Sequence, residues 1–205
     1  MSLRHRPAGR FWKLALAAVA GGLIAAGACA QTRSGGTLNW IIASEPALFV
    51  PLTTSAGSSC DLGPKVVEGL LTYDYQLNPK PLLATAWSVS RDGLQYRFDL
   101  RKGVKWHDGK DFTSADVAFS ILALKQYHPR GRSTFANVES VRTPDAHTAV
   151  IVLSKPAPYL LTALSGTESP IVPKHLYEGT DVQNSKYNRE PVGTGPFVFK
   201  EWVKG

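Results

Sequence analysis

The chain has 205 residues, with 23 Lys and Arg against 16 Asp and Glu and a formal net charge of +7 at pH 7. Four basic and no acidic residues lie in the first 30 positions, so the remainder carries 19 basic and 16 acidic residues, a net charge of +3. Because no run of Lys or Arg remains, the composition excludes a basic tract that would bind nucleic acid.

Residues 1–30 have the organisation of a secretory signal peptide. A basic segment precedes an apolar run over residues 14–28, and Ala28-x-Ala30 offers a small-residue cleavage site. Fifteen apolar residues are short for a membrane span, so we predict export and cleavage before Gln31. Cys29 follows three small residues that form a weak lipoprotein-type box, and lipidation at Cys29 is the alternative.

The mature chain is predicted to open with a buried strand over residues 37–43, because apolar residues occupy both of its faces. Pro46 ends that strand. The Ser/Thr/Gly-rich residues 53–59 favour a solvated loop, and a short helix is predicted over residues 62–73. Cys60, alone after cleavage, is expected to be a small buried residue or half of a bridge to sequence beyond this chain.

The clearest pattern in the sequence is the alternation of apolar and polar residues over positions 95–101. Tyr96, Phe98 and Leu100 share one face, which predicts a half-buried strand. Turn signals bound this strand and the apolar piece after it: Asp92-Gly93, Lys102-Gly103 and His107-Asp108-Gly109. We therefore expect a hairpin-like corner with aromatic anchors.

The run from residue 84 to 109, A-T-A-W-S-V-S-R-D-G-L-Q-Y-R-F-D-L-R-K-G-V-K-W-H-D-G, resembles the signature region of the extracellular solute-binding proteins of family 5, which serve peptide and nickel ABC importers. In that family a Trp-containing segment, a D-G turn, a strand ending in L-R-x-G-V-x-W and a second D-G recur in this order. Further blocks match along the chain: P-x-L-A-x-x-W at 81–87, F-T-x-x-D-V at 112–117, I-V-P-K-H at 171–175 and P-V-G-T-G-P-F at 191–197.

The second half of the chain is predicted to alternate helices and strands. A capping box at Thr113 and Asp116 starts a helix that runs to about residue 127, with a buried stripe at Val117, Ile121 and Leu124. Strands follow at 138–141 and 148–153 around a turn at 143–145, then a short apolar helix at 159–164. The glycines of 191–197 are expected to adopt backbone geometry that other residues cannot, and 197–204 have a strand-like pattern.

The resemblance implies an α/β fold like that of the type II, cluster C-like periplasmic binding proteins, here an N-terminal lobe with two mixed α/β subdomains. Family members are well over twice this length, so the chain is expected to be incomplete. The implied organisation is a signal peptide at 1–30, an opening strand and cleft loop at 31–60, a subdomain of the first lobe at 61–190, and a truncated return into that lobe at 191–205.

The function implied by the resemblance is that of a periplasmic solute-binding component of an ABC transporter. It would capture short peptides in a cleft between two lobes and deliver them to an inner-membrane permease and its ATPase subunits. The alternatives are a nickel or other small-solute binding protein of the same family, or a surface lipoprotein acting as adhesin or sensor partner. No cofactor is implied.

The resemblance also nominates ligand-binding residues in the segments that border the cleft in relatives. The segment after the first strand contributes small residues that let a peptide backbone approach closely, and two later loops contribute charged and polar groups. The predicted residues are Ser44, Glu45, Ser55, Ala56, Gly57, Ser58, Arg130, Arg132, Thr167 and Glu168.

Catalytic motifs are not indicated by the sequence. It has no G-x-S-x-G elbow, no H-E-x-x-H and no phosphate-binding glycine loop followed by Lys-Ser/Thr. His107, His128, His147 and His175 lack metal-ligand spacing. Asp108 follows His107 directly, and adjacent residues on a turn rarely face each other, so a capped turn is expected there rather than a catalytic pair. The sequence predicts neither an enzyme nor a metal site.

Overall fold

The computed structural model describes residues 35–204, and the chain divides into two compact units, Met1–Ile41 and Ile42–Gly205. The signal peptide predicted for residues 1–30 lies outside the described residues. The strand predicted for residues 37–43 is wrong, because these residues lie in neither a helix nor a strand. A strand needs a neighbour with which its backbone exchanges hydrogen bonds, and the described part of the chain provides no such ladder for this segment.

The second unit is built on a four-stranded antiparallel sheet with the order β3-β4-β6-β5. Its strands are β3 Ala84–Val89, β4 Gln95–Leu100, β5 Val138–Asp145 and β6 Thr148–Leu153. A smaller two-stranded antiparallel sheet pairs β1 Leu71–Tyr73 with β2 Pro79–Pro81.

The central strand β4 confirms the alternation read from the sequence. Tyr96, Phe98 and Leu100 are at most 3% exposed, and the polar residues between them face solvent. The edge strand β5, which pairs with β6, is longer than predicted, since it continues through the expected turn to Asp145, which pairs with Thr148. The pairing register shifts between Arg142 and Asp145, and such an irregularity accommodates Pro144, which has no N–H to donate.

Helix α2, Ser114–Tyr127, packs against β5 and β6 and forms as predicted. Both halves of its capping box are present, because Thr113 and Asp116 satisfy each other's backbone and side-chain groups. The stripe of Val117, Ile121 and Leu124 is fully buried. This helix therefore covers one face of the sheet and places His128 at its C-terminal cap.

The helix predicted over residues 62–73 starts and ends earlier than expected. Helix α1 spans Gly57–Leu62 and is followed by a 3₁₀ turn, Gly63–Lys65. Beyond it the chain passes so close to another segment that a Cβ on Gly69 would lie 2.4 Å from the carbonyl oxygen of Leu164. This tertiary contact, which no local pattern encodes, draws the next residues into β1.

The remaining elements are short. Helices α3 Gly131–Thr134 and α4 Lys174–Tyr177 are single turns, and 3₁₀ turns occupy Pro158–Thr162 and Lys186–Asn188. The apolar helix predicted at 159–164 is therefore a 3₁₀ turn. The strand-like residues 197–204 form no strand and are held by aromatic edges, because Phe49 meets Phe199 and Trp202 at centroid distances of 5.6 and 6.0 Å.

The segment 191–197 contacts Lys65 and Val66, but the reason predicted for its glycines is wrong. Gly193 and Gly195 are absent from the glycines with positive φ. They are required by close approach instead, since a Cβ on Gly193 would lie 1.7 Å from the carbonyl oxygen of Val66. The amide of Gly195 donates to that same oxygen at 2.9 Å. Within residues 35–204, no helix has the length and apolar character needed to cross a membrane.

Candidate ligand-binding surface

Two of the predicted site residues form an ion pair between distant loops. The Arg130 guanidinium donates from Nε to Oε2 of Glu168 at 3.0 Å and from Nη2 to Oε1 at 2.7 Å. The two side chains are 51% and 38% exposed. An exposed pair of this kind contributes about 0–1 kcal/mol, so either charge can exchange its partner for a charged ligand group at little cost.

The small residues predicted to approach a ligand lie at the entrance to α1. Ser55 and Ala56 precede the helix, while Gly57 and Ser58 are its first residues, so the predicted loop is only partly a loop. Ala56 and Gly57 are exposed, and no heavy atom lies within 4 Å of the place where a Gly57 Cβ would stand. A peptide main chain can therefore approach this backbone without meeting a bulky side chain.

His128 joins these two parts of the surface. Its Nε2 lies 3.1 Å from the carbonyl oxygen of Thr54, and its Nδ1 accepts from the amide of Gly131 at 3.0 Å. A carbonyl only accepts and an amide only donates, so the ring is the neutral tautomer with its proton on Nε2. Burial lowers the pKa of His128; the nearby Arg130 charge lowers it further, against the opposing effect of Glu168.

Cys60 lies beneath the same ion pair. Its Sγ is 3.8 Å from the carbonyl oxygen of Thr167, and among the described residues it is a free, half-buried thiol. Burial raises the pKa of the Cys60 thiol, and the charge of Glu168 adds to that effect while Arg130 opposes it. The prediction of a small buried residue holds in part.

Residues 54–58, Cys60, residues 128–131 and residues 167–168 form the candidate ligand surface, which is called the ligand surface below. It unites seven of the ten predicted residues. Sequence reasoning missed His128, treating it only as the end of a helix. The available signal was a histidine followed by Pro-Arg-Gly at a helix C-terminus. An imidazole at such a position can cap the helix end and hydrogen-bond a second segment.

Three predicted residues lie elsewhere. Ser44 and Glu45 line an open groove with Phe49 and Val203, in which Glu45 Oε1 accepts from the Trp202 indole N–H at 2.9 Å. Arg132 turns back to the end of α2 and donates from Nε to the carbonyl oxygen of Gln126 at 3.2 Å. The ligand contacts of these three residues stay predictions.

The other histidines of the loops tie segments together. His107 accepts from the Gly193 amide at 3.3 Å, and its Nε2 lies 2.9 Å from the carbonyl oxygen of Gly195. Asp108 faces His175 instead, at 2.6 Å, which confirms that His107 and Asp108 do not form a pair. Over residues 35–204, no group of three or more His, Cys, Asp or Glu is placed to hold a metal ion.

Comparison with known proteins decides the family. The model of the bacterial extracellular solute-binding proteins, family 5 Middle, matches residues 78–205. The chain belongs to this family. The resemblance read from the sequence is confirmed, and members of family 5 are solute-binding proteins of transport systems.

Curated and solved relatives extend the match over most of the chain. The oligopeptide-binding protein AppA of Bacillus subtilis is 34% identical over 182 residues, 85% of this chain and 33% of that protein. The structure of AppA in complex with a nonapeptide matches with a TM-score of 0.73 and 32% identity, covering 78% of this chain and 33% of that one. NikZ from Campylobacter jejuni, in complex with Ni(L-His), matches with a TM-score of 0.70 and 37% identity, covering 78% of this chain and 32% of that one.

The chain thus spans about a third of the length of these family 5 relatives. Its fold is that of the type II periplasmic binding proteins, as predicted, with mixed helices and sheets. The division into ranges 31–60, 61–190 and 191–205 stays a prediction.

Proposed function

We propose that this family 5 chain forms part of the periplasmic solute-binding component of an ABC importer, and that its solute is a short peptide. The oligopeptide-binding AppA and several Brucella proteins named as putative ABC transporter peptide-binding proteins, 36% identical over 145 residues, support a peptide ligand. The proposed protein closes around the peptide and presents it to an inner-membrane permease with its ATPase subunits.

The observation that carries the proposal is the pairing of Arg130 with Glu168 beside an unobstructed backbone segment. A short peptide bears a carboxylate, an ammonium group and main-chain donors and acceptors. In this proposal Arg130 receives a peptide carboxyl or carbonyl group, Glu168 receives a donor, and residues 55–58 lie along the peptide main chain. Thr167 and Cys60 form the floor of that site.

Nickel is the second candidate ligand, because the structure of NikZ contains Ni(L-His) and NikZ is 37% identical to this chain over the matched part. A nickel complex would need imidazole, thiolate or carboxylate ligands from the protein or from its own chelator. The described residues present Cys60 and Glu168 at the ligand surface, with His128 already bonded through both nitrogens. This chemistry favours the peptide.

The test is a thermal-shift screen of the full-length protein, unfolded and refolded to remove endogenous ligand. A ligand that binds the native state raises the melting temperature by mass action. Di- to pentapeptides, NiCl2 with and without histidine, and simple sugars form the panel. We expect shifts with peptides alone. A rise in melting temperature with nickel alone would make nickel the ligand in place of the peptide. No rise with any member of the panel would overturn both candidates.

Arginine variants locate the site within that screen. Arg130→Ala is expected to abolish the peptide shift, while Arg142→Ala is the matched control. Arg142 is likewise an exposed arginine with one side-chain partner, Gln95 at 2.6 Å, but it lies on the outer face of the sheet. Arg132→Ala decides which arginine of the loop acts. Equal peptide shifts in wild type and Arg130→Ala would refute the assignment of this surface.

A further inference from the structure

We propose that His128 is a positioning residue of the ligand surface, and that only its neutral form holds residues 54–58 and Arg130 in the arrangement that captures a peptide. Peptide capture should therefore weaken on acidification through this one imidazole. The inference rests on the proposed peptide function. The two hydrogen bonds of His128, to the Thr54 carbonyl oxygen and from the Gly131 amide, form a bridge that exists without any ligand.

The bridge connects parts of the chain that local structure does not join. Thr54 and His128 are 74 positions apart, and His128 is 1% exposed. The Thr54 carbonyl oxygen accepts a hydrogen bond from Nε2–H, and Thr54 Oγ1 accepts from the amide of Ala56 at 3.2 Å. Fixing Thr54 therefore orients the exposed backbone at Ala56 and Gly57.

The other side of the bridge has little freedom to adjust. A Cβ on Gly131 would lie 2.2 Å from the carbonyl oxygen of Leu124, so this residue is pressed against the last turn of α2. Its own carbonyl accepts from the amide of Phe135 at 2.8 Å, and Phe135 is 1% exposed. The Gly131 amide thus points at Nδ1 from a fixed position, and Arg130 precedes it directly.

Protonation breaks this arrangement for a simple reason. A protonated imidazole carries N–H groups on both nitrogens, so Nδ1 becomes a donor that faces the Gly131 donor. The hydrogen bond at 3.0 Å is lost and replaced by repulsion between two N–H groups. Because the ring is buried, relief requires movement of either the Thr54 segment or the Arg130 loop.

Burial, modified by two charged neighbours, sets the pH at which this happens. Arg130 and Glu168 face His128 from the loops packed against it, and their charges oppose each other. Burial is the largest influence, and the pKa of His128 lies below its ordinary value of 6.5. The neutral bridge therefore predominates at pH 7 and is lost progressively as the pH falls through the lowered pKa.

The functional test compares peptide affinity at several pH values between 7.5 and 5 in wild type and His128→Asn, with tetra-alanine as the first probe. Asn places Oδ1 near the position of Nδ1 and does not titrate, so it keeps the acceptor for Gly131 and loses the donor to Thr54. We expect wild-type affinity to fall by up to about tenfold per pH unit below the imidazole pKa, and His128→Asn to bind more weakly at pH 7.5 with a flat profile.

His175→Asn is the control, since this histidine pairs with Asp108, outside the ligand surface. It should retain the wild-type profile. The proposal would be overturned by a peptide affinity of His128→Asn that falls with pH, or by a wild-type peptide affinity that does not change with pH.

A ligand-free measurement separates the bridge from the peptide. Imidazole ¹⁵N NMR of the full-length protein should show His128 as the Nε2–H tautomer at pH 7, with its titration accompanied by changes at the amides of Gly131 and Ala56. Titration that leaves these amides unchanged would overturn the bridge. If the bridge is present but no peptide binds, the proposed function fails, and the role of His128 in ligand capture fails with it.

Discussion

At Gly193 the fold leaves no room for any side chain, and this residue shows how a sequence signature can be recognised for one reason and required for another. The P-V-G-T-G-P-F run at 191–197 resembles a sequence block of family 5. Its glycines were expected to be needed for backbone geometry that other residues cannot adopt. The structure instead brings the backbone of Val66 against Gly193, so what matters is the absence of a Cβ.

Gly193→Ala is expected to lower the free energy of unfolding by about 1–3 kcal/mol or more, because the backbone must move to accommodate the methyl group. The contact to be relieved is the 1.7 Å approach of the new Cβ to the Val66 carbonyl oxygen. Urea denaturation measures the change. Gly57→Ala is the stability control, since its Cβ would meet nothing within 4 Å. Equal stability of the two variants would contradict this account.

Among the elements, α2 is stabilised by polar contacts as well as by its apolar stripe. Asp116 accepts from the amide of Thr113 at 2.8 Å and from the amide of Lys174 at 2.8 Å. One turn later, Ser120 Oγ accepts from the amide of Val172 at 2.9 Å. The helix therefore fixes the start of α4 through Asp116, which sequence analysis assigned only to capping, and fixes the residues just before α4 through Ser120.

Asp116→Ala should lower the free energy of unfolding by about 1–3 kcal/mol for each buried amide left without a partner. Asp116→Asn keeps only one of the two acceptor oxygens, so one of the two amides should still lose its partner. Leu122→Ala is the control on the same helix, because Leu122 is 44% exposed and a surface change there should stay within about 0.5 kcal/mol. A stability of Asp116→Ala equal to that of the control would show that water replaces the carboxyl group.

The elements that were predicted correctly are those whose pattern is local and long enough to repeat. The alternation of apolar and polar residues predicts β4, and the capping box predicts the start of α2, each from a few neighbouring residues. The 3₁₀ turns, the early start of α1 and the strand β1 were missed or misassigned, because contacts with distant segments determine them. Leu71, for example, enters β1 where its amide donates to Leu164.

At the scale of the whole molecule, the ligand surface assembles three loops that lie far apart in the sequence. Resemblance nominated Arg130 and Glu168 separately, and only the fold shows that they pair. The sequence signal at His128 indicates only a capping imidazole, and neither His128 nor Cys60 could be placed on this surface from the sequence, because their partners Thr54 and Thr167 are 74 and 107 positions away.

The response of the whole molecule to acid follows from its carboxylates. Hydrogen bonds from the backbone and side chain of Asn78 lower the pKa of Asp74 to about 2, from an ordinary value of 3.8. Hydrogen bonding also leaves lowered pKa values at other carboxyl groups: Asp92, Asp145 and Asp181. A lowered folded-state pKa contributes stability that is present above the unfolded value and lost as the pH falls through the folded one.

We therefore expect the melting temperature to decline from about pH 4 toward pH 2, where these carboxylates become protonated. In Asp74→Asn the decline should be shallower, so its difference from wild type shrinks as the pH falls. Calorimetry between pH 2 and 5 measures both curves. A difference that is constant with pH would contradict the role assigned to the Asp74 carboxylate.

The meeting of Leu71 with Leu164 has a consequence for how this chain can be cut and rejoined. The amide of Leu71 donates to the carbonyl oxygen of Leu164 at 3.0 Å, and Tyr73 Oη binds the backbone of both Leu161 and Leu164 nearby. In the part of the chain that the structure describes, all six strands and helices α2 and α3 lie between these two points, so the intervening residues begin and end at nearly the same place. This segment therefore forms a closed loop, so a cut in one of its exposed turns leaves both pieces anchored at this contact and through the hydrogen bond from the Lys174 amide to Asp116.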